Sequence, residues 1–218
     1  MTARPQHDEP AGVRLFVVLP AEACTARAPE CLKAFCAHAD VASLLLPGQA
    51  EVPEELLREL TEQAQALGVA VLVHDDVARC RRLKADGVHV TARDARRIAA
   101  LRRELGPDMI IGACCPAQRH LAMELGEAGA DYLGIDQRVQ ARGENLLAWW
   151  AQMFTVPVVA MQPAAPRQVA DVARLGADFL VPVPEMWQDA AQADMLARAY
   201  DENLRQIAPG TVNSGKSG

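Results

Sequence analysis

The sequence predicts a single (β/α)8 TIM barrel, in which eight parallel strands alternate with helices and close on themselves. Three observations point to it. Eight apolar, β-branched runs recur along the 218 residues, with successive starts 17 to 28 residues apart, about one strand-plus-helix unit. The runs are continuous rather than alternating, as expected of parallel strands covered on both faces. The segments between them carry helical periodicity with recognisable starts and stops. A doubly wound open sheet is the competing topology. It expects a Gly-rich turn after the first strand, and "VLPAEACTA" stands there instead.

In chain order, the strands are expected at 14–19 (RLFVVL), 41–46 (VASLLL), 69–73 (VAVLV) and 86–90 (DGVHV). The remaining four fall at 109–113 (MIIGA), 130–135 (ADYLGI), 156–161 (VPVVAM) and 178–183 (DFLVPV). Among the helices, "PEELLRELTEQAQALG" places Pro53 in the first turn, where a missing N–H costs nothing. Leu56, Leu60, Ala64 and Leu67 make its apolar stripe, and Gly68 ends it. "TARDARRIAALRRELG" opens at Thr91, has Asp94 at capping-box spacing, and ends at Gly106. "PRQVADVARLG" and "PEMWQDAAQADMLARAYDENLRQI" continue the pattern. "KADGVHV", "GADYLGI" and "GADFLVP" echo one another, each closing a helix and releasing a strand. The barrel is expected over residues 13–207, between polar, disordered tails at 1–12 and 208–218.

Half of the chain is hydrophobic (50%), which suits one sizeable core. A net charge of −6 argues against nucleic acid and against an anionic membrane surface as partners. No apolar run is long enough to span a bilayer, and "MTARPQHDEP" lacks the apolar region of a signal peptide. A cytoplasmic protein with reduced thiols is the expectation, and a homo-oligomer is compatible with it. Cys24, Cys31, Cys36, Cys80, Cys114 and Cys115 form no CxxC pair or zinc-like spacing. The Arg-rich runs 79–82 and 95–104 read as solvated helix faces.

Function in such a barrel sits just after each strand. Asp75 and Asp94 follow neighbouring strands, so their carboxylates can converge on a divalent cation. Spacing alone favours the other reading, in which Asp75 or Asp76 caps one helix and Asp94 completes a capping box. His74, at a strand end, suits a ligand contact or acid–base work. His89, between Val88 and Val90, reads as an interior histidine. Cys114 and Cys115 read as small, near-buried residues at a strand end, with a reactive pair as the alternative.

The stretch "HDDVARCRRLKADGVHVTARD" resembles, without gaps, a segment of the thiamine phosphate synthases within the thiamine phosphate synthase and thiazole tautomerase superfamily. "IGACC", "AGADYLGI", "VPVVAM" and "LGADFLVPVPEMW" extend the likeness over about residues 14–190. The resemblance implies a transferase that joins hydroxymethylpyrimidine diphosphate to a thiazole phosphate and releases pyrophosphate. It implies Mg²⁺ as cofactor, held by Asp75 and Asp94, and a phosphorylated small molecule or pyrimidine as partner. His74 falls on the family's asparagine and Cys114 on its serine, which makes both catalytic candidates. Gln49, Arg138, Arg142 and Gln162 become substrate-binding candidates.

The chain departs from the family pattern at several positions. Pro47 stands at the family's arginine, and Gln49 stands near its lysine. The loop after the sixth strand is shorter, and Gln162-Pro163-Ala164 replaces a glycine pair whose amides would hold phosphate. The expected function is therefore a thiamine phosphate synthase-like activity on an altered site. One alternative is a non-catalytic paralogue that binds a ligand or regulates. Another is a different lyase or isomerase using His74 with Asp75, or the Cys114-Cys115 pair.

Overall fold

A computed structural model describes residues 12–49 and 51–207. Apart from Gly12, the expected tails lie outside the described residues. The elements alternate as β1 (Arg14–Val18), α1 (Ala28–Cys36), β2 (Val41–Leu46), α2 (Glu54–Ala66), β3 (Ala70–His74), α3 (Val77–Leu83), β4 (Gly87–Thr91), α4 (Ala95–Leu105), β5 (Ile110–Cys114), α5 (Arg119–Glu127) and β6 (Tyr132–Ile135). A small hairpin follows, β7 (Gln140–Ala141) with β8 (Glu144–Asn145), and then α6 (Leu146–Met153), β9 (Val158–Ala164), α7 (Val169–Arg174), β10 (Phe179–Pro182) and α8 (Ala190–Ile207). All strands outside the hairpin pair in parallel and close in the order β1-β10-β9-β6-β5-β4-β3-β2. The chain is a (β/α)8 barrel, and each of the eight expected strands is present within a few residues of its expected bounds.

Two helix starts differ from the sequence reading. Pro53 is the N-cap of α2 rather than a first-turn residue, and the buried face is Leu57, Leu60, Thr61 and Ala64. Leu67 is 47% exposed, one residue past the last turn. In α4 the N-cap is Asp94 itself, so Thr91 does not open a capping box. Thr91 stays in β4 because its N–H donates to the Asp75 carboxylate on the neighbouring strand end, 3.2 Å away.

The barrel interior is filled by Phe16, Leu45, Leu72, Tyr132, Val159 and Val181. Tyr132 fits because β5 offers glycine opposite it: a Cβ on Gly112 would lie 2.0 Å from the ring. A larger apolar shell packs between strands and helices, and Phe35 of α1 meets Tyr200 of α8 edge-on at 6.0 Å.

The three echoed "AD" motifs perform one task at the N-terminal end of the barrel. Asp86, Asp131 and Asp178 each donate a backbone N–H to the preceding barrel strand, at Val71 O, Ile111 O and Val158 O. Each carboxylate then accepts the N–H of that same residue, at 2.7 Å from Val71, 2.7 Å from Ile111 and 2.9 Å from Val158. The aspartate closes a two-bond ring that fixes strand register where the helix ends. Asp131→Ala is expected to lower stability by about 1–3 kcal/mol, since it orphans the Ile111 amide. Asp131→Asn, which keeps an acceptor oxygen, should recover part of this; urea unfolding of the three proteins checks it.

Candidate active site

The C-terminal ends of β3, β4 and β5 gather most of the candidate residues. Strand register sets His74 beside His89, and Thr91 beside Cys114. Directly after β3, Asp75 has a left-handed backbone, φ 52°. That conformation costs a non-glycine residue on the order of 1 kcal/mol, and aspartate is among the residues that tolerate it best. It turns the carboxylate sideways onto the end of β4, where both oxygens lie 3.2 Å from Thr91 N. Oδ1 also accepts from Arg97 Nη2 at 2.6 Å. Asp76, not Asp75, caps α3 by accepting from Arg79 N at 2.8 Å. Asp94 caps α4, accepting from Arg96 N at 2.9 Å and Arg97 N at 3.3 Å.

His74 is 43% exposed, with Nε2 3.5 Å from both Asp75 Oδ2 and Thr91 Oγ1. Its ring stacks on His89 at 5.9 Å. His89 is fully buried, as expected from its sequence position. Its Nδ1 lies 2.7 Å from Tyr132 Oη and its Nε2 lies 3.0 Å from Cys114 Sγ. Burial, then the neighbouring His74, pushes the His89 pKa down to about 3, so the ring is neutral. Tyr132 satisfies its buried hydroxyl by donating to Nδ1, which leaves Nε2–H to donate to the sulfur.

This Tyr132–His89–Cys114 chain has the outline of a cysteine–histidine dyad but the opposite electrostatics. Burial, then the Asp75 charge, raises Cys114 to about 11, and Cys115 lies higher still at about 12. Thiol and imidazole are both held neutral here, the reverse of the thiolate–imidazolium pair that a cysteine nucleophile uses. Cys114 is expected to alkylate on the order of a hundredfold more slowly than an unhindered thiol at pH 7.5. Mass-resolved iodoacetamide kinetics on the native chain measures this.

The remaining candidates lie apart: Gln49 on the loop after β2, Arg138 and Arg142 around the β7–β8 hairpin, and Gln162 within the last residues of β9. Gln49 is exposed after β2, next to Gly48, which is pressed against the His74 carbonyl so closely that a Cβ would overlap it. Behind this loop, Arg79 Nη1 donates to Pro47 O at 3.2 Å and also to Gly48 O. A guanidinium from α3 therefore reaches the corner where proline stands. Arg138 pairs with Asp136 at 2.8 Å and holds its carboxyl below the usual range. Arg142 takes φ 57° at the tip of the β7–β8 hairpin and Gly143 takes φ 80°, a two-residue turn that needs both positive angles. The sequence reading missed Arg119, which pairs with Glu144 at 2.5 Å and lies over Trp149 at 4.6 Å.

At the ends of β9 and β10 the backbone amides are already committed. Gln137 clasps Gln162, accepting its N–H at 3.0 Å and donating to its carbonyl at 2.8 Å. Tyr200 Oη accepts from Val183 N at 2.9 Å and donates to Ala164 O at 2.5 Å. Ala165 N donates to Gln168 Oε1 at 2.8 Å. With prolines at 163, 166, 182 and 184, few free N–H groups remain there for a phosphate.

The metal question turns on the donor set. Two carboxylates at neighbouring strand ends are hard oxygen donors of the kind Mg²⁺ takes, with substrate oxygens and water completing its shell. Among the described residues, no group of three or more His, Cys, Asp or Glu is placed to hold a metal ion by itself.

The family model described as thiamine monophosphate synthase matches residues 15–184. The thiamine-phosphate synthase of Erythrobacter litoralis is 39% identical over 154 residues, covering 64% of this chain and 72% of that protein. That of Hyphomonas neptunium is 34% identical over 185 residues, covering 78% and 83%. The solved thiamine phosphate pyrophosphorylase of Pyrococcus furiosus superposes with a TM-score of 0.73 at 19% identity, covering 89% of this chain and 96% of that one.

Proposed function

This chain belongs to the thiamine monophosphate synthase family, and on that premise we propose that it is a thiamine-phosphate synthase. The reaction joins hydroxymethylpyrimidine diphosphate to thiazole phosphate. The bond between the pyrimidine methylene and the diphosphate oxygen breaks, and pyrophosphate leaves with the electron pair. The thiazole nitrogen then gives its lone pair to the methylene carbon and becomes the thiazolium nitrogen of the product. No proton is needed for the balance. The observation that carries this reading is the family match across residues 15–184, which includes the strand ends that gather His74, Asp75 and Asp94.

In this reading Asp75 and Asp94 would hold Mg²⁺, which would supply positive charge beside the leaving pyrophosphate. His74 lies at the barrel mouth and stacks on His89, so its ring is set to face a bound pyrimidine. The Tyr132–His89–Cys114 chain makes a neutral floor beneath it that offers no nucleophile to a carbocation. Arg79 brings positive charge to the corner that the family's arginine holds; Arg138, Arg142 and Gln49 stand on loops, and Gln162 stands near the end of β9. The substrates are phosphorylated small molecules. No helix among the described residues is long and apolar enough to cross a membrane; the cytoplasmic setting we propose rests on the biosynthetic family alone.

The non-catalytic alternative is the weaker reading, because the relatives that share 34–39% identity with this chain are synthases. The committed amides after β9 and β10 support a reading in which side chains hold the thiazole phosphate. Pyrophosphate release from the pyrimidine diphosphate tests the proposal. Release that requires thiazole phosphate and stops with a chelator supports it, and no release with both substrates present refutes it.

A further inference from the structure

One residue is tied to both aspartates of the site. The backbone N–H of Arg97 donates to Asp94 Oδ1 at 3.3 Å, and its guanidinium donates to Asp75 Oδ1 at 2.6 Å. Nη1 of the same guanidinium is anchored on Thr91 O at 3.0 Å. Asp75 is thus held from two sides, by the Thr91 amide and by the Arg97 cation, with His74 3.5 Å from its second oxygen. The contact is short and charge-assisted, yet its partners remain 45% and 22% exposed.

We propose that Arg97 is a built-in counter-cation of this site, which a divalent cation must displace from Asp75 before the two carboxylates can share it. Without the guanidinium, the Asp75 carboxylate would keep only the Thr91 amide and the nearby His74 beside its charge. With it, the site keeps one compensating charge until metal arrives. Arg97 can release without unfolding α4, because only its side chain, not its capped backbone, holds Asp75. A partly exposed pair of this kind contributes little and is screened by salt, so the competition is modest and fades as ionic strength rises. Once released, the guanidinium stays at the rim beside the metal, where the diphosphate carries its negative charge.

The inference rests on reading Asp75 and Asp94 as the metal carboxylates, and binding to the full-length chain without substrates separates the two. Free Mn²⁺ is followed by electron paramagnetic resonance in titrations of wild type, Arg97→Gln, Asp75→Asn and the double variant at low salt. Arg97→Gln is expected to bind Mn²⁺ about two- to five-fold more tightly than wild type. The gain should shrink at high salt and vanish on the Asp75→Asn background. If wild type binds, Asp75→Asn does not, and Arg97→Gln matches wild type or binds more weakly, the metal reading stands and the competition is refuted. If neither wild type nor Arg97→Gln binds Mn²⁺, both fall. Thermal unfolding of each variant confirms that the fold is kept.

Discussion

Asp75→Asn is expected to slow pyrophosphate release at least about a hundredfold, the scale of losing one preorganised charge at a reacting centre. The substitution separates chemistry from architecture. Asparagine tolerates the left-handed backbone that Asp75 adopts at φ 52°. Its side-chain oxygen can still accept from Thr91 N, which lies 3.2 Å from the carboxylate. Only the charge is lost, and with it the grip on a divalent cation and the pair with Arg97. Asp94→Asn works in the same way, because asparagine is as good an N-cap as aspartate and α4 should survive. Steady-state kinetics with thermal unfolding of both variants provides the check. A slow but stable protein assigns the carboxylates to catalysis, and wild-type turnover returns them to helix capping and strand bracing.

Acidification is expected to destabilise the barrel through His89. Its folded pKa is near 3, against about 6.5 for a free imidazole. Between these values the unfolded chain binds a proton that the folded chain refuses, so stability falls as pH falls through that window. The contribution is fully present above about pH 6.5 and costs up to about 1.4 kcal/mol per pH unit below it. From pH 6.5 to pH 5 the loss from this residue approaches about 2 kcal/mol. Other groups titrate as well, so the informative quantity is the difference between wild type and His89→Gln, whose amide stays neutral. Urea midpoints at pH 7, 6 and 5 should drop more steeply for wild type. Parallel slopes would mean that His89 takes up its proton in the folded state without penalty.

The strands were legible because continuous apolar runs have one stable fate in a parallel sheet, burial between helices and barrel interior. Helix starts were less legible. Thr91 and Asp94 have capping-box spacing, but the Asp75 carboxylate holds Thr91 in β4 and moves the cap to Asp94. That contact joins residues sixteen apart and depends on a positive φ that an aspartate does not announce. The β7–β8 hairpin was missed because its turn is Arg142-Gly143, without the Asn-Gly or Asp-Gly pair that usually marks it. At the site, the residue types and strand ends could be read, while their partners could not. The Gln137 and Tyr200 clasps link side chains to backbone across 25 and 36 residues. Arg97 had one signal, its place three residues after Asp94, and looked like part of a solvated arginine face.

The synthase assignment is tested most directly by identifying the product. The full-length chain is incubated with hydroxymethylpyrimidine diphosphate, thiazole phosphate and Mg²⁺, and the mixture is resolved by mass spectrometry. Thiamine phosphate is expected to appear in step with pyrophosphate, and to be absent when either substrate is omitted or the metal is chelated. Both substrates remaining intact with stably folded protein would contradict the assignment.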